Sequence, residues 1–134
     1  MAGYSSNSLS KKLGLKAGLE VCIMHAPEDY AVLTADIYDQ LIFKKEGSKE
    51  LDFIHLFTNS FAELKKQLPK LKTQIKKNGM IWISWYKKSA GKPTELTENM
   101  IRDTALAIGL VDVKVCAVDE DWSGLKLVFR IVDR

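Results

Sequence analysis

Polar, basic and aromatic side chains follow several short apolar runs of this sequence, and their types would suit a ligand-binding site. The candidate binding residues are His25, Pro27, Asn59, Lys87, Lys88, Ser89, Asp121 and Trp122. The imidazole of His25 titrates near neutral pH and could act as a base. The ammonium groups of Lys87 and Lys88 could close over a phosphate or a carboxylate. These residues predict binding, and none of them is identified as catalytic.

Each candidate also has a structural interpretation that involves no ligand. His25 could cap the following helix or pair with Glu28, and the lysines could belong to a solvated connection. Trp122 could cover the end of the sheet, with Ser123 and Gly124 making the bend. An exposed tryptophan beside acids could recognise a ligand or partner, but for Trp122 the structural interpretation is slightly favoured.

The remaining histidine and the two cysteines lie inside apolar runs. We expect His55 to be a hydrogen-bonded strand residue and Cys22 and Cys116 to be buried thiols without a mutual disulfide. The two histidines and two cysteines are too dispersed for the short paired spacings of a zinc site. No metal is therefore expected.

Apolar runs between turn residues predict six strands, over residues 19–24, 40–44, 51–57, 80–86, 111–118 and 125–132. Helices are predicted over residues 9–13, 28–34, 60–78 and 97–108. The third helix has the capping-box spacing of Ser60 and Glu63 at its start and an apolar face that extends to Ile75. Pro69 lies within that pattern and is expected to kink or divide the helix.

Strands that alternate with helices predict an α/β protein, a three-layer arrangement around a mostly parallel sheet. The last two strands have no helix between them and should form a C-terminal antiparallel hairpin at or near one edge. Ligands of open α/β sheets bind beyond the C-terminal ends of the parallel strands. The candidate binding residues follow the predicted strands at that edge.

Length and composition limit the class of protein. The chain has 134 residues, of which 46% are hydrophobic and 28% charged, and its formal net charge is +3. These values predict one domain over residues 1–134, with residues 1–8 as a flexible tail. Because no apolar run approaches the roughly 20 residues of a membrane span, and the first ten residues have no signal-peptide core, a cytoplasmic protein is expected.

Two segments, LDFIHLF at 51–57 and NGMIWISW at 78–85, resemble the C-terminal half of a Rossmann-like methyltransferase. The whole chain resembles a bacterial family, domain of unknown function 3052. The matching segments are residues 11–16, 26–28, 54–57, 82–85, 87–89 and 113–128. The resemblance implies a reduced S-adenosylmethionine-dependent methyltransferase fold in which one strand–helix unit is missing before Leu51.

The turn after the first strand departs from that methyltransferase pattern. Such enzymes place glycines there, so that the backbone can approach the cofactor, whereas here residues 25–29 read HAPED. Pro27 also lacks an N–H donor. Glu46 could supply the acid that usually holds the ribose hydroxyls. S-adenosylmethionine is therefore a possible cofactor that the missing glycine turn disfavours.

Three functions follow from these observations. The leading hypothesis is a non-catalytic module that binds a small ligand or a protein partner at the C-terminal strand edge. The alternative is a divergent S-adenosylmethionine-dependent methyltransferase or another cofactor-using enzyme. A third is a nucleic-acid-associated regulator that uses the lysines predicted on the third helix: Lys65, Lys66, Lys70, Lys72, Lys76 and Lys77.

Nucleic acid is the least favoured of these partners, because no aromatic residues alternate with the lysines and acids nearly balance the charge. No membrane partner is expected. An exposed edge on the closing hairpin would permit either a monomer or a homodimer.

Overall fold

Three of the four α-helices in this computed structural model begin at a side-chain cap. The structure describes residues 8–134. The helices are α1 (Leu9–Leu13), α2 (Tyr30–Leu33), α3 (Phe61–Lys72) and α4 (Glu98–Ala107). The side chains of Ser8, Ser60 and Thr97 accept hydrogen bonds from backbone N–H groups in the first turns of α1, α3 and α4. Gly14 ends α1 in the left-handed conformation, with φ of 82°. Apart from Ser8, the predicted tail lies outside the described residues.

Six strands form one mixed sheet. They are β1 (Glu20–Met24), β2 (Ile42–Phe43), β3 (Leu51–Phe57), β4 (Ile75–Tyr86), β5 (Leu110–Ala117) and β6 (Trp122–Phe129). Their order across the sheet is β2-β1-β3-β4-β6-β5. The first four are mutually parallel, and β6 lies antiparallel between β4 and β5. The predicted α/β class and the C-terminal antiparallel hairpin are thereby confirmed.

Helices cover both faces of the sheet and make three layers. Leu64 of α3 and Ile101 of α4 pack with one apolar cluster. Leu13 of α1 and Tyr30 of α2 pack with the other. Trp85 belongs to the first cluster, and Trp82, an odd number of residues away, belongs to the second.

The connection from β2 to β3 contains no helix. It consists of residues 44–50, and it carries the chain from one side of β1 to the other. The expected loss of a strand–helix unit before Leu51 agrees with this short connection. Cys22 of β1 and Cys116 of β5 are free thiols. Three other strands lie between β1 and β5 in the sheet.

The predicted third helix is too long. It ends at Lys72, and Ile75 already begins β4, so Lys76 and Lys77 lie on a strand and not on the helix. Helix α3 is continuous through Pro69, so the proline does not divide it. Helical spacing from Leu71 to Ile75 misled the prediction, because a buried strand residue can fall at the same interval.

The hairpin turn is also displaced. Ser123 and Gly124 were expected to make the bend, but both lie inside β6, which begins at Trp122. The turn is made by residues 118–121, where the Asp119 carboxylate accepts hydrogen bonds from the backbone N–H groups of Asp121 and Trp122, both at 2.8 Å. Gly124 serves close packing instead of the bend.

Within residues 8–134 the structure contains no helix of the length and apolarity needed to cross a membrane.

Candidate functional site

The sheet brings most of the predicted binding residues to one edge. His25 follows β1, Asn59 follows β3 and Lys87 follows β4, so all three lie beyond the C-terminal ends of parallel strands. Trp122 begins β6, which runs antiparallel to β4, and pairs with Tyr86 at the same end. We call this region the carboxyl edge.

The first group at the carboxyl edge is the histidine cluster, formed by His25, Thr58 and Glu63. The Nδ1 atom of His25 lies 3.4 Å from Glu63 Oε2, and Thr58 donates a 2.5 Å hydrogen bond to Glu63 Oε1. The backbone at His25 has φ of 59°, a left-handed conformation uncommon outside glycine. Glu63, and not the predicted Glu28, is therefore the acidic neighbour of His25.

Glu63 illustrates what spacing alone could not reveal. The Ser60 side chain accepts from the Glu63 backbone N–H at 3.1 Å, as the capping box predicts. The Glu63 carboxylate does not complete the box, because it faces Thr58 and His25; Thr58 Oγ1 accepts from the Ser60 N–H instead, at 3.2 Å.

Asn59 joins the ends of two strands to the loop before α4. Its side-chain oxygen accepts from the backbone N–H of Tyr86 at 2.8 Å, and its backbone carbonyl accepts from the N–H of Glu95 at 3.0 Å. The Glu95 carboxylate in turn accepts from the N–H of Phe61 at 2.8 Å. The side-chain oxygen of Asn59 is therefore occupied by the backbone, which gives this residue a positioning role.

The second group is the tryptophan cluster, formed by Tyr86, Lys92, Asp121 and Trp122. The half-buried Trp122 ring packs edge-on against Phe57, with ring centres 5.0 Å apart, and lies 4.4 Å from the Tyr86 ring. Lys92 Nζ lies 5.4 Å from the centre of the Tyr86 ring and 2.8 Å from Asp121 Oδ2. The hydrogen bond with Asp121 raises the pKa of Lys92 above its usual value. Spacing gave no signal for the Lys92–Asp121 pair.

The basic loop, residues 87–92, crosses the tryptophan cluster. The backbone N–H of Lys87 donates to the carbonyl of Asp121 at 2.8 Å. Lys88 and Ser89 lie in a short 3₁₀ helix, Lys88–Ala90, with exposed side chains. Among the ion pairs of residues 8–134, none includes Lys87 or Lys88. These two ammonium groups are therefore available to an anion.

Pro27 acts through its backbone. Its carbonyl accepts from the N–H of Tyr30 at 3.1 Å, where α2 begins, and its ring is half-buried. Helix α2 has no side-chain cap. Pro27 thus sets the entry to α2, and its role toward a ligand stays a prediction.

The central layer beneath the carboxyl edge contains a fully buried histidine. His55 Nδ1 lies 3.0 Å from the Tyr30 hydroxyl, and His55 Nε2 lies 2.8 Å from Ser84 Oγ. Burial lowers the pKa of His55 to about 3 and raises that of Tyr30. The imidazole is therefore neutral and satisfied on both nitrogens, as expected for a structural strand histidine.

The turn after β1 does not suit a cofactor that needs a close approach of the backbone. His25 occupies the left-handed position with a side chain directed to Glu63, and Pro27 has no N–H to donate. Glu46 does follow β2, and its charge adds to burial in raising the pKa of Cys22 on β1. The acid expected for S-adenosylmethionine thus follows β2, but the glycine turn after β1 is replaced.

Groups of three or more histidine, cysteine or acidic residues placed to hold a metal do not occur in the part of the chain that the structure describes.

Solved methyltransferases share this fold at low sequence identity. A SAM-dependent methyltransferase from Aquifex aeolicus is 18% identical with a TM-score of 0.65, over 87% of this chain and 85% of that chain. Magnesium protoporphyrin IX methyltransferase from Synechocystis, solved with bound SAM, is 12% identical with a TM-score of 0.64, over 91% of this chain and 74% of that chain. A TehB-like SAM-dependent methyltransferase from Corynebacterium glutamicum is 6% identical with a TM-score of 0.58, over 96% and 90%.

At these identities the likeness establishes a Rossmann-like methyltransferase fold and no activity. No curated protein matches the chain in sequence. One family does match, over residues 12–131, and it is described as Protein of unknown function (DUF3052). That match spans most of the sequence, and the chain accordingly belongs to the DUF3052 family.

Proposed function

We propose that this protein is a non-catalytic module of the methyltransferase fold that binds a small anionic ligand at the carboxyl edge. The observation that carries the proposal is the turn after β1, where His25 takes the left-handed position and pairs with Glu63. In a glycine turn the missing side chain lets the backbone approach the cofactor, whereas here the His25 side chain occupies that position. The pair of the His25 imidazole and the Glu63 carboxylate stabilises this turn from within the protein.

The basic loop supports an anionic ligand. Lys92 is held by Asp121 at 2.8 Å, which anchors the loop on the tryptophan cluster. Lys87 and Lys88 precede this anchor, and the Lys88 side chain is exposed. An ammonium group without a carboxylate partner gains a charge-assisted hydrogen bond when it meets a phosphate. The half-buried ring of Trp122, close to Tyr86, offers a planar aromatic surface beside the loop.

Ligand-dependent unfolding tests this proposal. Thermal midpoints are measured with AMP, ADP and ATP, and separately with S-adenosylmethionine and S-adenosylhomocysteine. A ligand at about 100 times its dissociation constant adds roughly 2.7 kcal/mol of apparent stability. In a domain of this size each kcal/mol raises the thermal midpoint by about 3–6 °C. We expect a shift with a nucleotide and none with either sulfur compound.

Two double variants make the test specific. Lys87→Ala with Lys88→Ala should remove the nucleotide shift. Lys66→Ala with Lys70→Ala removes the same charge from the exposed side of α3 and should leave the shift intact. A nucleotide shift that persists in the first double variant, or the absence of any nucleotide shift in the unmodified protein, contradicts the basic-loop assignment.

The competing function is S-adenosylmethionine binding. It is favoured by the fold shared with the SAM-dependent methyltransferases and by the position of Glu46 after β2. A midpoint shift with S-adenosylmethionine that Glu46→Gln reduces would support this function and overturn the non-catalytic proposal. Transfer of a labelled methyl group from S-adenosylmethionine to any acceptor would do the same.

A further inference from the structure

A basic cavity lies on the face of the sheet that carries Trp82, at the end opposite the carboxyl edge. Its volume is about 240 Å³. The lining residues are Asn78, Gly79, Met80, Val113, Lys126, Val128 and Arg134. This volume is below the roughly 300–1,000 Å³ typical of sites for drug-sized ligands, so its occupant would be small.

Two irregularities in the strands shape this cavity. In the pairing of β3 with β4, Leu51 faces Ile75 but Phe53 faces Met80, so β4 carries extra residues that include Gly79. A Cβ atom at Gly79 would lie 3.0 Å from the Leu51 carbonyl oxygen, which is closer than an ordinary van der Waals contact. In the pairing of β5 with β6, the register shifts between Asp112 and Lys114, at Val113.

Like charges face each other beside the cavity. Lys126 of β6 lies directly opposite Lys114 of β5 in the antiparallel register. Such like-charged pairs destabilise a sheet. Burial lowers the pKa of Lys126, and the charges of Lys114 and Arg134 lower it further. The fold therefore keeps a half-buried cation in a position where its neighbours repel it.

The nearby acids are paired with other cations. Asp112 lies 2.9 Å from Arg102, Asp52 lies 3.0 Å from Lys76, and Asp133 lies 3.0 Å from Arg130. In the described ranges of the chain, no ion pair includes Lys114, Lys126 or Arg134. The ammonium of Lys114 donates to the backbone carbonyl of Lys12 at 2.9 Å, which supplies no formal negative charge.

We propose that this cavity binds a phosphate group, either as inorganic phosphate or as a small phosphomonoester, with Lys126 as the principal contact. A doubly charged oxyanion would turn the repulsion of Lys126, Lys114 and Arg134 into attraction to a common ligand. The Nε atom of Arg134 donates to the Phe129 carbonyl at 3.0 Å, and the other N–H groups of its guanidinium remain available as donors to the ligand. Asn78 also lines the cavity, and a side-chain amide can supply neutral donors.

Calorimetric titration at constant ionic strength tests this site, with inorganic phosphate in one arm and glycerol 3-phosphate in the other. We expect saturable binding in at least one arm, and the two arms identify the source of the phosphate group. Lys126→Met should weaken this binding at least tenfold, whereas Lys126→Arg should keep it within about threefold because the charge remains. Lys66→Met, which removes an exposed charge from α3, is the matched control and should bind as the unmodified protein does.

Three results would overturn the proposal: no saturable binding in either arm, undiminished binding by Lys126→Met, or an equal heat from sodium chloride at matched ionic strength. If Lys126→Met fails to fold, phosphate-dependent shifts of backbone amide resonances in the unmodified protein decide the question. Shifts centred on residues 126–128 support the site, and shifts confined to residues 87–92 contradict it. The Lys87→Ala, Lys88→Ala variant should keep the phosphate binding that Lys126→Met removes, so the two proposed sites can fail separately.

Discussion

The imidazole of His55 depends on two hydroxyl groups from other parts of the chain. Tyr30 of α2 contacts Nδ1 and Ser84 of β4 contacts Nε2, while Phe57 stacks on the ring with centres 4.2 Å apart. Each ring nitrogen keeps a polar partner in an interior where an unsatisfied group would be costly. Protonation would place a charge in this enclosed position, so the folded state favours the neutral ring.

The pH dependence of unfolding should report this burial. The folded pKa of His55 is lowered from 6.5 to about 3, so the unfolded chain takes up the proton first as the pH falls. Stability is therefore retained above pH 6.5 and lost below it, by up to about 1.4 kcal/mol for each pH unit. Urea unfolding between pH 5 and 6.5, where most carboxylates stay ionised, measures this slope.

A His55→Gln variant separates the titration from the packing. It should be less stable at pH 7, by roughly 1–3 kcal/mol, because one hydroxyl loses its partner. Its stability should depend less on pH below 6.5, and between pH 7 and 9 its difference from the unmodified protein should be constant. Parallel stability curves below pH 6.5 would show that His55 does not cause the loss.

At the scale of elements, local signals located the helix starts better than the helix ends. Ser60 precedes α3 as predicted, because a cap is an interaction between residues three positions apart. Thr97 was expected to be the first residue of the fourth helix and instead caps α4. The end of α3 was misplaced by several residues, since Ile75 continues the apolar spacing but pairs with Leu51 in the sheet. That pairing joins residues distant in sequence, which periodicity does not detect.

Removal of the α3 cap should have a defined cost. Ser60→Ala deletes the side chain that accepts from the Glu63 N–H at 3.1 Å, and we expect it to lower the free energy of unfolding by about 1 kcal/mol. Ser89→Ala is the matched control, because this exposed serine lies in the basic loop; it should change stability by less than about 0.5 kcal/mol. Equal effects of the two substitutions in urea unfolding would contradict the capping role.

At the scale of the whole molecule, the insertion of β6 between β4 and β5 creates a close contact between strands at Gly124. Gly124 of β6 faces Trp82 and Ser84 of β4, and a Cβ atom there would lie 3.1 Å from Trp82 Cε3 and 3.2 Å from Ser84 Oγ. Both neighbours are fully buried. Trp82 also donates to the Leu13 carbonyl at 2.9 Å, so the contact reaches α1.

Gly124→Ala should therefore destabilise the protein by about 1–3 kcal/mol, because neither Trp82 nor Ser84 can withdraw without losing a hydrogen bond. The neighbouring Ser123→Ala, which adds no atom, should change stability by less than about 0.5 kcal/mol. The denaturation midpoints of the two variants, with an unchanged dependence on urea, measure the difference. A tolerated Gly124→Ala would mean that β4 and β6 can separate slightly.

The candidate site was predictable in outline. The edge that collects His25, Asn59, Lys87 and Trp122 follows from the order of strands and helices, because parallel strands end at one side of a sheet. The partners of these residues were not predictable. Glu63 faces His25 and Asp121 faces Lys92 through contacts across 38 and 29 positions of sequence, respectively, and spacing gives no signal at such separations.

The sequence by itself determined the class of fold, the cap of α3, the hydrogen-bonded histidine of a strand and the absence of a glycine turn after β1. These depend on composition, on apolar spacing and on interactions between residues close in the chain. Only the tertiary structure decided that Ser123 and Gly124 belong to β6, that Lys76 and Lys77 lie on a strand, and that Lys114 faces Lys126. Register between strands is set by contacts among residues distant in sequence, and one sequence read in order does not contain that pairing.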